Sequence, residues 1–448
     1  MSGFSGRGLS GNRLYVAIFA WFALVVVGVT CLYVGYKSSP GGADDKQANP
    51  TAPSGAIIPS TTQPTAVAQT TALPAATPAE GEVDEEVFGY GIAAHAIGGD
   101  PDYWMKLVSK DLGLKWVKQQ VRWRTFEGNP NQMDWSGFDR VVEYASKHNL
   151  KVMLSVVDAP LWTRPSSLDD NPEGAPPEDL SLYAEFLGTM VDRYQGRIHA
   201  IEVWNEQNLD REWDTREGVN AARYVEMLGL AHQAIKSRDP NIIVISGALS
   251  PLGGTWTDKD DPNRITALDD FEYFDQMLAA GFLNYCDCVG AHHNGYNIPP
   301  DVDWDQVPND PTAQFRGPFD NPHHSWSFKS TLWGYHDRIV AAGSDKPICV
   351  TEFGWATTEG FEGHPDVYPT GFEFVLDNTL EEQAQWDVQA FQLMRDWGFV
   401  RLAFLWNLNY AQFTDGMGGA NDNAPYSLLD LGGIPRPCFG AIGAMEKR

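Results

Sequence analysis

The amino-acid sequence predicts an α/β protein: a (β/α)8 TIM barrel with long loops on one face, preceded by a transmembrane helix and a disordered linker. Three observations support this prediction. From residue 87 onward, short apolar runs rich in β-branched residues alternate with amphipathic helical stretches. Eight such runs can be counted along the chain. Ahead of them lie an uncharged apolar segment and a segment rich in Pro, Ala, Thr and Ser.

The apolar segment spans residues 14–36 and is long enough to cross a bilayer as a helix. Arg7 and Arg13 precede it, so the positive-inside bias places residues 1–13 in the cytoplasm. There are two alternatives: a secreted protein with a cleaved signal peptide, and a lipoprotein cleaved before Cys31. However, no Ala-x-Ala site follows the run. We therefore expect a single-pass signal anchor in the cell membrane, with the barrel outside the cell.

Residues 37–84 contain too few large apolar side chains to form a core, which predicts an extended tether. The globular domain is predicted over residues 85–448. A formal net charge of -27 argues against nucleic acid as a partner, since phosphate binding needs clustered Lys and Arg.

The eight runs predict strands, and the stretches between them predict helices, for example 135–148, 180–194 and 220–238. The predicted strands are 87–95, 115–122, 150–157, 199–205, 242–247, 287–292, 347–352 and 401–407. A doubly wound sheet is the alternative, but no glycine-rich nucleotide turn follows the first strand. Four long connections, all after strands and hence on the active face, are predicted to line a binding cleft; they are 158–179, 249–269, 294–330 and 354–380.

The predicted globular part contains four cysteines, namely Cys286, Cys288, Cys349 and Cys438. They could form disulfides, but Cys288 and Cys349 fall inside predicted strands, where a free buried cysteine packs as a small hydrophobe. A zinc site made by Cys286, Cys288, His292 and His293 is excluded, because strand geometry separates Cys288 from His292 by about 13 Å. The sequence predicts no metal and no cofactor.

Two glutamates lie where the chemistry of such a barrel is expected. Glu206 ends the fourth predicted strand in the motif Trp204-Asn205-Glu206, and Glu352 ends the seventh. A single glutamate at a strand end is usually part of a salt bridge. Two carboxyls facing each other are what glycosidic bond cleavage requires, because one donates a proton and the other attacks the anomeric carbon. The sequence therefore predicts a retaining glycoside hydrolase.

The motif around Glu206 and the Thr-Glu-Phe-Gly motif around Glu352 resemble clan A glycoside hydrolases, most like family 39 and next like family 5, from about residue 87 to the C terminus. The resemblance implies that Glu206 is the acid/base and Glu352 the nucleophile of a double displacement. It also implies that Asn205 hydrogen-bonds the sugar 2-hydroxyl, that Trp406 floors the site, and that Arg122 pairs with the nucleophile.

At the sixth strand, the His-x-Tyr of the clan is replaced by the run 291–296. The resemblance assigns the family histidine to His292 and the place of the tyrosine to Tyr296. His95, after the first strand, could reach the sugar or serve the fold alone. We expect a Trp-lined environment to raise the pKa of Glu206 by desolvation and so keep it protonated.

Two other functions stand beside hydrolysis: a non-catalytic cell-surface carbohydrate-binding barrel, and a transglycosylase that uses the same covalent intermediate. The enzyme is favoured because both carboxyls occur together with Asn205, Arg122 and Trp406. The expected partners are a polysaccharide or oligosaccharide substrate and the membrane. Glucan, xylan, mannan and glycosaminoglycan-like chains all fit the motifs.

Overall fold

A computed structural model describes residues 88–164, 174–361, 368, 371–413 and 421–448. The predicted anchor 14–36 and the predicted linker 37–84 lie outside the described residues. In the described part of the chain, no helix is both long enough and apolar enough to span a bilayer.

The eight predicted strands are confirmed as one parallel sheet of eight strands that wraps into a barrel. Each strand overlaps its predicted run. In chain order they are β1 (Gly89–Ala93), β2 (Trp116–Arg122), β3 (Lys151–Val157), β4 (Ala200–Val203), β5 (Ile243–Ser246), β6 (Val289–Gly295), β7 (Ile348–Trp355) and β8 (Val400–Leu405). In the sheet the strands follow the order β5, β4, β3, β2, β1, β8, β7 and β6, and each strand is hydrogen-bonded to the next.

The barrel closes between β5 and β6 through a parallel bridge that joins Ile245 to Cys288. The amide of Ser246 donates to the carbonyl oxygen of Cys288 at 3.2 Å. Gly290 permits this approach, because a Cβ there would collide with the carbonyl oxygen of Ser246. The seam therefore depends on a residue without a side chain.

A helix follows each strand, which confirms the (β/α)8 architecture. The helices are α1 (Pro101–Lys106), α2 (Ser136–Lys147), α3 (Leu180–Arg193), α4 (Ala221–Lys236), α5 (Asp270–Ala279), α6 (Phe328–Ala341), α7 (Leu380–Trp397) and α8 (Pro437–Ala444). The three helices predicted as examples match α2, α3 and α4 to within two residues at each end. Asn220 begins α4, because its side chain accepts a hydrogen bond from the amide of Arg223.

The long connections on the carboxyl side of the strands are confirmed, and their described residues include short elements of their own, among them the single turns Leu161–Thr163 and Glu373–Leu376. After β5 the chain forms a short antiparallel hairpin of Trp256–Thr257 and Ile265–Ala267. The loop between β6 and α6 contains two single helical turns, Gly317–Asp320 and His324–Trp326.

The interior of the barrel contains a layer of apolar side chains from β2 to β8, which packs around a disulfide. Cys288 and Cys349 form this disulfide, with a Cα–Cα distance of 5.8 Å. The sequence left the pairing of the cysteines open, and these two pair because both side chains point into the same interior layer from adjacent strands. Cys286 and Cys438 are free and buried.

Candidate active site

Glu206 and Glu352 both reach the carboxyl-terminal mouth of the barrel. Glu352 lies within β7, and Glu206 follows β4 after a sharp turn in which Trp204 and Glu206 have φ angles of 77° and 44°. The amide of Glu206 donates to the carbonyl oxygen of Ala248 at 2.8 Å, which fixes the turn against the segment after β5. The turn directs the Glu206 carboxyl toward the barrel axis.

His292, on β6, lies between the two glutamates. Its Nδ1 is 3.2 Å from Oε1 of Glu206 and 3.9 Å from Oε2 of Glu352. Because both oxygens approach one nitrogen, they lie within about 7 Å of each other, a spacing that allows two carboxyls to flank one glycosidic bond. Burial alone would lower the pKa of His292, but the charge of Glu352 and the hydrogen bond with Glu206 outweigh it and raise that pKa.

Lys118, on β2, holds the Glu352 carboxylate. Its Nζ is 2.8 Å from Oε1 of Glu352 and 3.4 Å from Oε2 of Glu202, and its side chain is 1% exposed. Glu202 in turn accepts a hydrogen bond from the Thr351 hydroxyl at 2.6 Å. Burial opposes the charge on Lys118, but these two carboxylates raise its pKa, so the lysine stays protonated.

The resemblance assigned the cation beside Glu352 to Arg122, and here the structure differs. Arg122 pairs with Asp158 at 2.6 Å, and Lys118 takes the place beside Glu352. Both cations point to the same side of β2, since they are four positions apart on a strand of period two. That spacing moves Arg122 about 13 Å farther along the strand, to the rim of the mouth.

Glu206 is held by a second cation, Arg211, from the loop that follows β4. The Arg211 guanidinium is 2.7 Å from Oε2 of Glu206, and the Arg211 side chain is 48% exposed. Burial alone would raise the pKa of Glu206, but the hydrogen bond with His292 and the charge of Arg211 outweigh it and lower the pKa from 4.5 to about 2. The expectation of a raised pKa was therefore wrong.

The Trp204 indole does not contribute the apolar environment that was expected around Glu206. It is fully buried on the outer side of the barrel, where its Nε1 donates to the carbonyl oxygen of Glu212 at 2.8 Å. Its ring packs edge-on against Tyr183 and Trp213. Trp204 therefore stabilises the turn instead of lining the site.

An aromatic wall borders the carboxyl pair. Trp406, directly after β8, has the Lys118 ammonium 5.7 Å from its ring centroid and packs against Tyr410 at 4.8 Å. Tyr296 stacks on Phe315 and meets the ring of Trp326 edge-on at 4.8 Å. The structure thus brings both aromatic residues named from the sequence into one partly buried cluster at the mouth.

Asn205 and His95 complete the residues named from the sequence. The Asn205 side chain is buried, and its Oδ1 has no hydrogen-bond partner among the described residues. His95 follows β1, packs against Tyr410 and Phe413, and its backbone exchanges two hydrogen bonds with the Asn409 side chain. Burial and the charge of Arg122 lower the pKa of His95, so it is neutral near pH 7.

Three charged residues of the site were missed by sequence reasoning: Lys118, Glu202 and Arg211. Two of them left a signal, since Lys118 and Glu202 are charged residues within strands that are otherwise largely buried. A charge at an inward-facing strand position needs a partner, which would have directed attention to the barrel interior. Arg211 lies in a loop and carries no such signal.

No family model matches the chain. Over 141 residues it is 23% identical to endo-1,4-beta-xylanase 3 from Hypocrea jecorina; this match spans 30% of the chain and only 38% of the xylanase. A family 39 glycoside hydrolase from Bacteroides cellulosilyticus WH2 has the same fold, with a TM-score of 0.57 and 18% identity over 81% of this chain and 65% of that chain. A monomeric beta-xylosidase from Caulobacter crescentus CB15 gives a TM-score of 0.51 and 17% identity over 80% and 67% of the two chains.

These similarities confirm the resemblance to clan A glycoside hydrolases that the sequence motifs predicted, and they support the prediction of a glycosidase. The similarity of the solved structures concerns the fold of the barrel. The roles of individual residues follow from the geometry of this chain.

Proposed function

We propose that this protein is a retaining glycoside hydrolase that cleaves O-glycosidic bonds by double displacement. The observation that carries the proposal is the pair of carboxyls, Glu206 and Glu352, that face each other across His292 at the mouth of the barrel. Lys118 places a buried positive charge 2.8 Å from Oε1 of Glu352, the carboxyl that acts as the nucleophile. Glu206 faces the same space and serves as the proton donor.

In the first step, a Glu352 oxygen attacks the anomeric carbon while the bond to the leaving oxygen breaks and Glu206 transfers its proton to that oxygen. In the second step, Glu206 removes a proton from water, and the water oxygen displaces Glu352 from the anomeric carbon. Lys118 neutralises charge on Glu352 in both of its ionised states, before attack and after release.

The role of Glu206 requires that Arg211 move. A carboxyl whose pKa is about 2 is almost fully ionised near neutral pH and has no proton to give. Because the Arg211 side chain is half exposed, its guanidinium can leave Glu206 without unfolding the core around it. Substrate entry that displaces Arg211 removes one of the two groups that lower the pKa of Glu206, and that pKa then rises, as its burial favours.

The remaining contacts match the polar and apolar faces of a sugar ring. Asn205 has a buried Oδ1 that can accept a hydrogen bond from a ring hydroxyl. Trp406 presents an indole beside Lys118 and so beside the carbon that Glu352 attacks. His292 holds Oε1 of the Glu206 carboxyl, and Arg211 holds its Oε2.

We propose β-1,4-xylan or xylo-oligosaccharides as the first substrates to test, since the related proteins include an endo-1,4-beta-xylanase and a beta-xylosidase. Purified protein should release reducing ends from one member of a panel of xylan, glucan, mannan and glycosaminoglycan, and proton NMR should show the retained anomer first. Binding without release would favour a carbohydrate-binding barrel, and longer products would favour transglycosylation. Initial release of the opposite anomer would contradict the double displacement.

We further propose that the barrel acts outside the cytoplasm and is tethered through residues 14–36. One support is the apolar run itself with Arg7 and Arg13 before it. A second is the disulfide inside the barrel, because disulfides persist mainly in oxidising compartments. Protease added to intact cells should release an active domain. A protected domain, or a mature N terminus after residue 36, would contradict this topology.

A further inference from the structure

Three side chains that can bind a metal ion meet beside the start of α5. Asp269 directly precedes this helix, whereas His323 and His324 come from the long loop between β6 and α6. One ligand atom from each residue lies within 4.8 Å of the other two. We propose that this cluster is a zinc site that ties the β6–α6 loop to α5. This proposal is independent of the proposed glycosidase activity.

The two carboxylate oxygens of Asp269 differ in their hydrogen bonding. Its Oδ1 accepts hydrogen bonds from the amides of Phe271 and Glu272 and so caps α5. Its Oδ2 is buried and has no hydrogen-bond partner among the described residues. Nε2 of His323 lies 3.7 Å from Oδ2. A buried carboxylate oxygen without a donor is unfavourable unless it contacts a cation.

His324 is oriented by a buried carboxylate behind it. Its Nε2 is 3.0 Å from Oδ1 of Asp270. This aspartate is fully buried; its Oδ1 also accepts a hydrogen bond from the Leu252 amide, and its Oδ2 accepts one from the Tyr335 hydroxyl. When Nε2 of His324 donates to this oxygen, Nδ1 keeps its lone pair and can bind a metal. A histidine that donates to a carboxylate in this way is the usual arrangement at a metal.

His323 closes the cluster from the solvent side, where its side chain is 30% exposed. Its Nδ1 lies 2.8 Å from the Ser325 hydroxyl and 3.3 Å from the Ser325 amide. Metal binding at Nε2 requires that Nδ1 give up the hydrogen bond it accepts from the Ser325 amide and donate instead to the Ser325 hydroxyl oxygen. The exposed edge of the His323 ring leaves a path by which an ion can enter.

The donor set selects the class of metal. Two imidazole nitrogens and one carboxylate oxygen suit Zn²⁺, with water in the fourth position, and suit Co²⁺ as its spectroscopic substitute. Ca²⁺ and Mg²⁺ require a larger set of oxygen ligands and should not compete.

The position of the cluster indicates a structural role. The carbonyl oxygen of Ser325, next to His324, contacts Nε2 of His293 on β6 at 3.1 Å. Trp326 follows and packs on Tyr296 in the aromatic wall. A metal held by His323 and His324 would therefore fix the segment that supports one side of the cleft.

The test uses the purified full chain without an affinity tag, stripped with a chelator and titrated with Zn²⁺ against a chromophoric competitor. We expect one equivalent to bind and to raise the melting temperature, and we expect Co²⁺ to give visible absorption bands. Asp269→Asn keeps the cap of α5, because asparagine also caps helices, but it replaces the spare oxygen with an amide. This variant and His323→Ala should each weaken binding by more than the roughly 10-fold expected for the supporting variant Asp270→Asn.

His336→Ala is the matched control, since His336 lies on α6 and stacks on Phe399 outside the cluster. It should bind Zn²⁺ like the unmodified chain. Absence of a stoichiometric Zn²⁺ site in the unmodified chain would overturn the proposal. Equal Zn²⁺ affinity in a folded Asp269→Asn variant, or equal stabilisation by Mg²⁺, would do the same.

Discussion

The two halves of the site hold their carboxyls in different ways. Glu352 is paired with Lys118, whose side chain is 1% exposed and also contacts Glu202. Glu206 is paired with Arg211, whose side chain is 48% exposed. One cation is locked into the barrel interior by neighbouring strands, and the other belongs to a loop and faces solvent.

This difference fits the two tasks of a double displacement. A nucleophile must be ionised whenever substrate arrives, so a permanent buried cation beside it is appropriate. A proton donor must change its ionisation in every cycle, and a permanent cation beside it would prevent that. The pairs Lys118–Glu352 and Arg211–Glu206 therefore separate a fixed charge from a removable one.

The largest effect is expected from loss of the nucleophile. Glu352→Ala should lower kcat/KM by at least about 10³-fold, because the covalent intermediate cannot form without the attacking carboxylate. The measurement is the initial rate on the best substrate of the panel. Circular dichroism serves as the control for folding, and turnover close to that of the unmodified chain would refute the assignment.

Removal of the fixed charge should affect stability as well as activity. Lys118→Met leaves Glu352 and Glu202 buried without their cation, which should lower the free energy of unfolding by about 3–5 kcal/mol. Urea denaturation measures this change. Lys147→Met, which breaks a pair with Asp102 on the surface, is the matched control and should leave the transition where it is. Equal behaviour of the two variants would contradict the locked pair.

Loss of Glu206 should depend on the leaving group. Glu206→Ala should lower cleavage of a natural oligosaccharide by roughly 10²-fold or more, because a sugar leaving group needs a proton. The first step on a dinitrophenyl glycoside should survive, since that leaving group departs without one. Equal loss on both substrates would make Glu206 a binding residue.

The smallest effect concerns the removable charge. In the free protein, activity that needs protonated Glu206 is lost as pH rises through its pKa, so the basic limb of kcat/KM reports that pKa. Arg211→Gln should raise the pKa of Glu206 and move this limb to higher pH. The basic limb of the pH profile of kcat should move less, because bound substrate has already displaced Arg211.

Arg223→Gln is the control for this shift, since Arg223 pairs with Glu217 near the start of α4. An unchanged kcat/KM limb in Arg211→Gln would show that Arg211 does not set the ionisation of Glu206.

The parts of the molecule that were predictable from the sequence are those governed by local patterns. Strand and helix periods are local, so all eight strands and the example helices were found. The motifs around Glu206 and Glu352 are local as well, and the structure places both residues at one mouth. Metal ligands such as Asp269 and His323 were invisible, because they come from separate segments.

The errors share a physical cause, which is the identity of spatial neighbours. The disulfide state of Cys288 was left open for the same reason, because the sequence does not show that its side chain shares a layer with Cys349. Arg122 was taken as the partner of Glu352 because a position on β2 does not reveal depth along the barrel axis. The pKa of Glu206 was misjudged because it depends on His292 from another strand and on Arg211, which a loop brings back to the strand end.

The configuration of azide products tests the division of roles between Glu206 and Glu352 most directly. Each alanine variant is given a dinitrophenyl β-glycoside and azide, and the glycosyl azide is identified by NMR. Glu352→Ala should give the inverted azide, because azide takes the position of the missing nucleophile. Glu206→Ala should give the retained azide, because azide attacks the intermediate on Glu352. The same configuration from both variants, or the reverse assignment, would contradict the account.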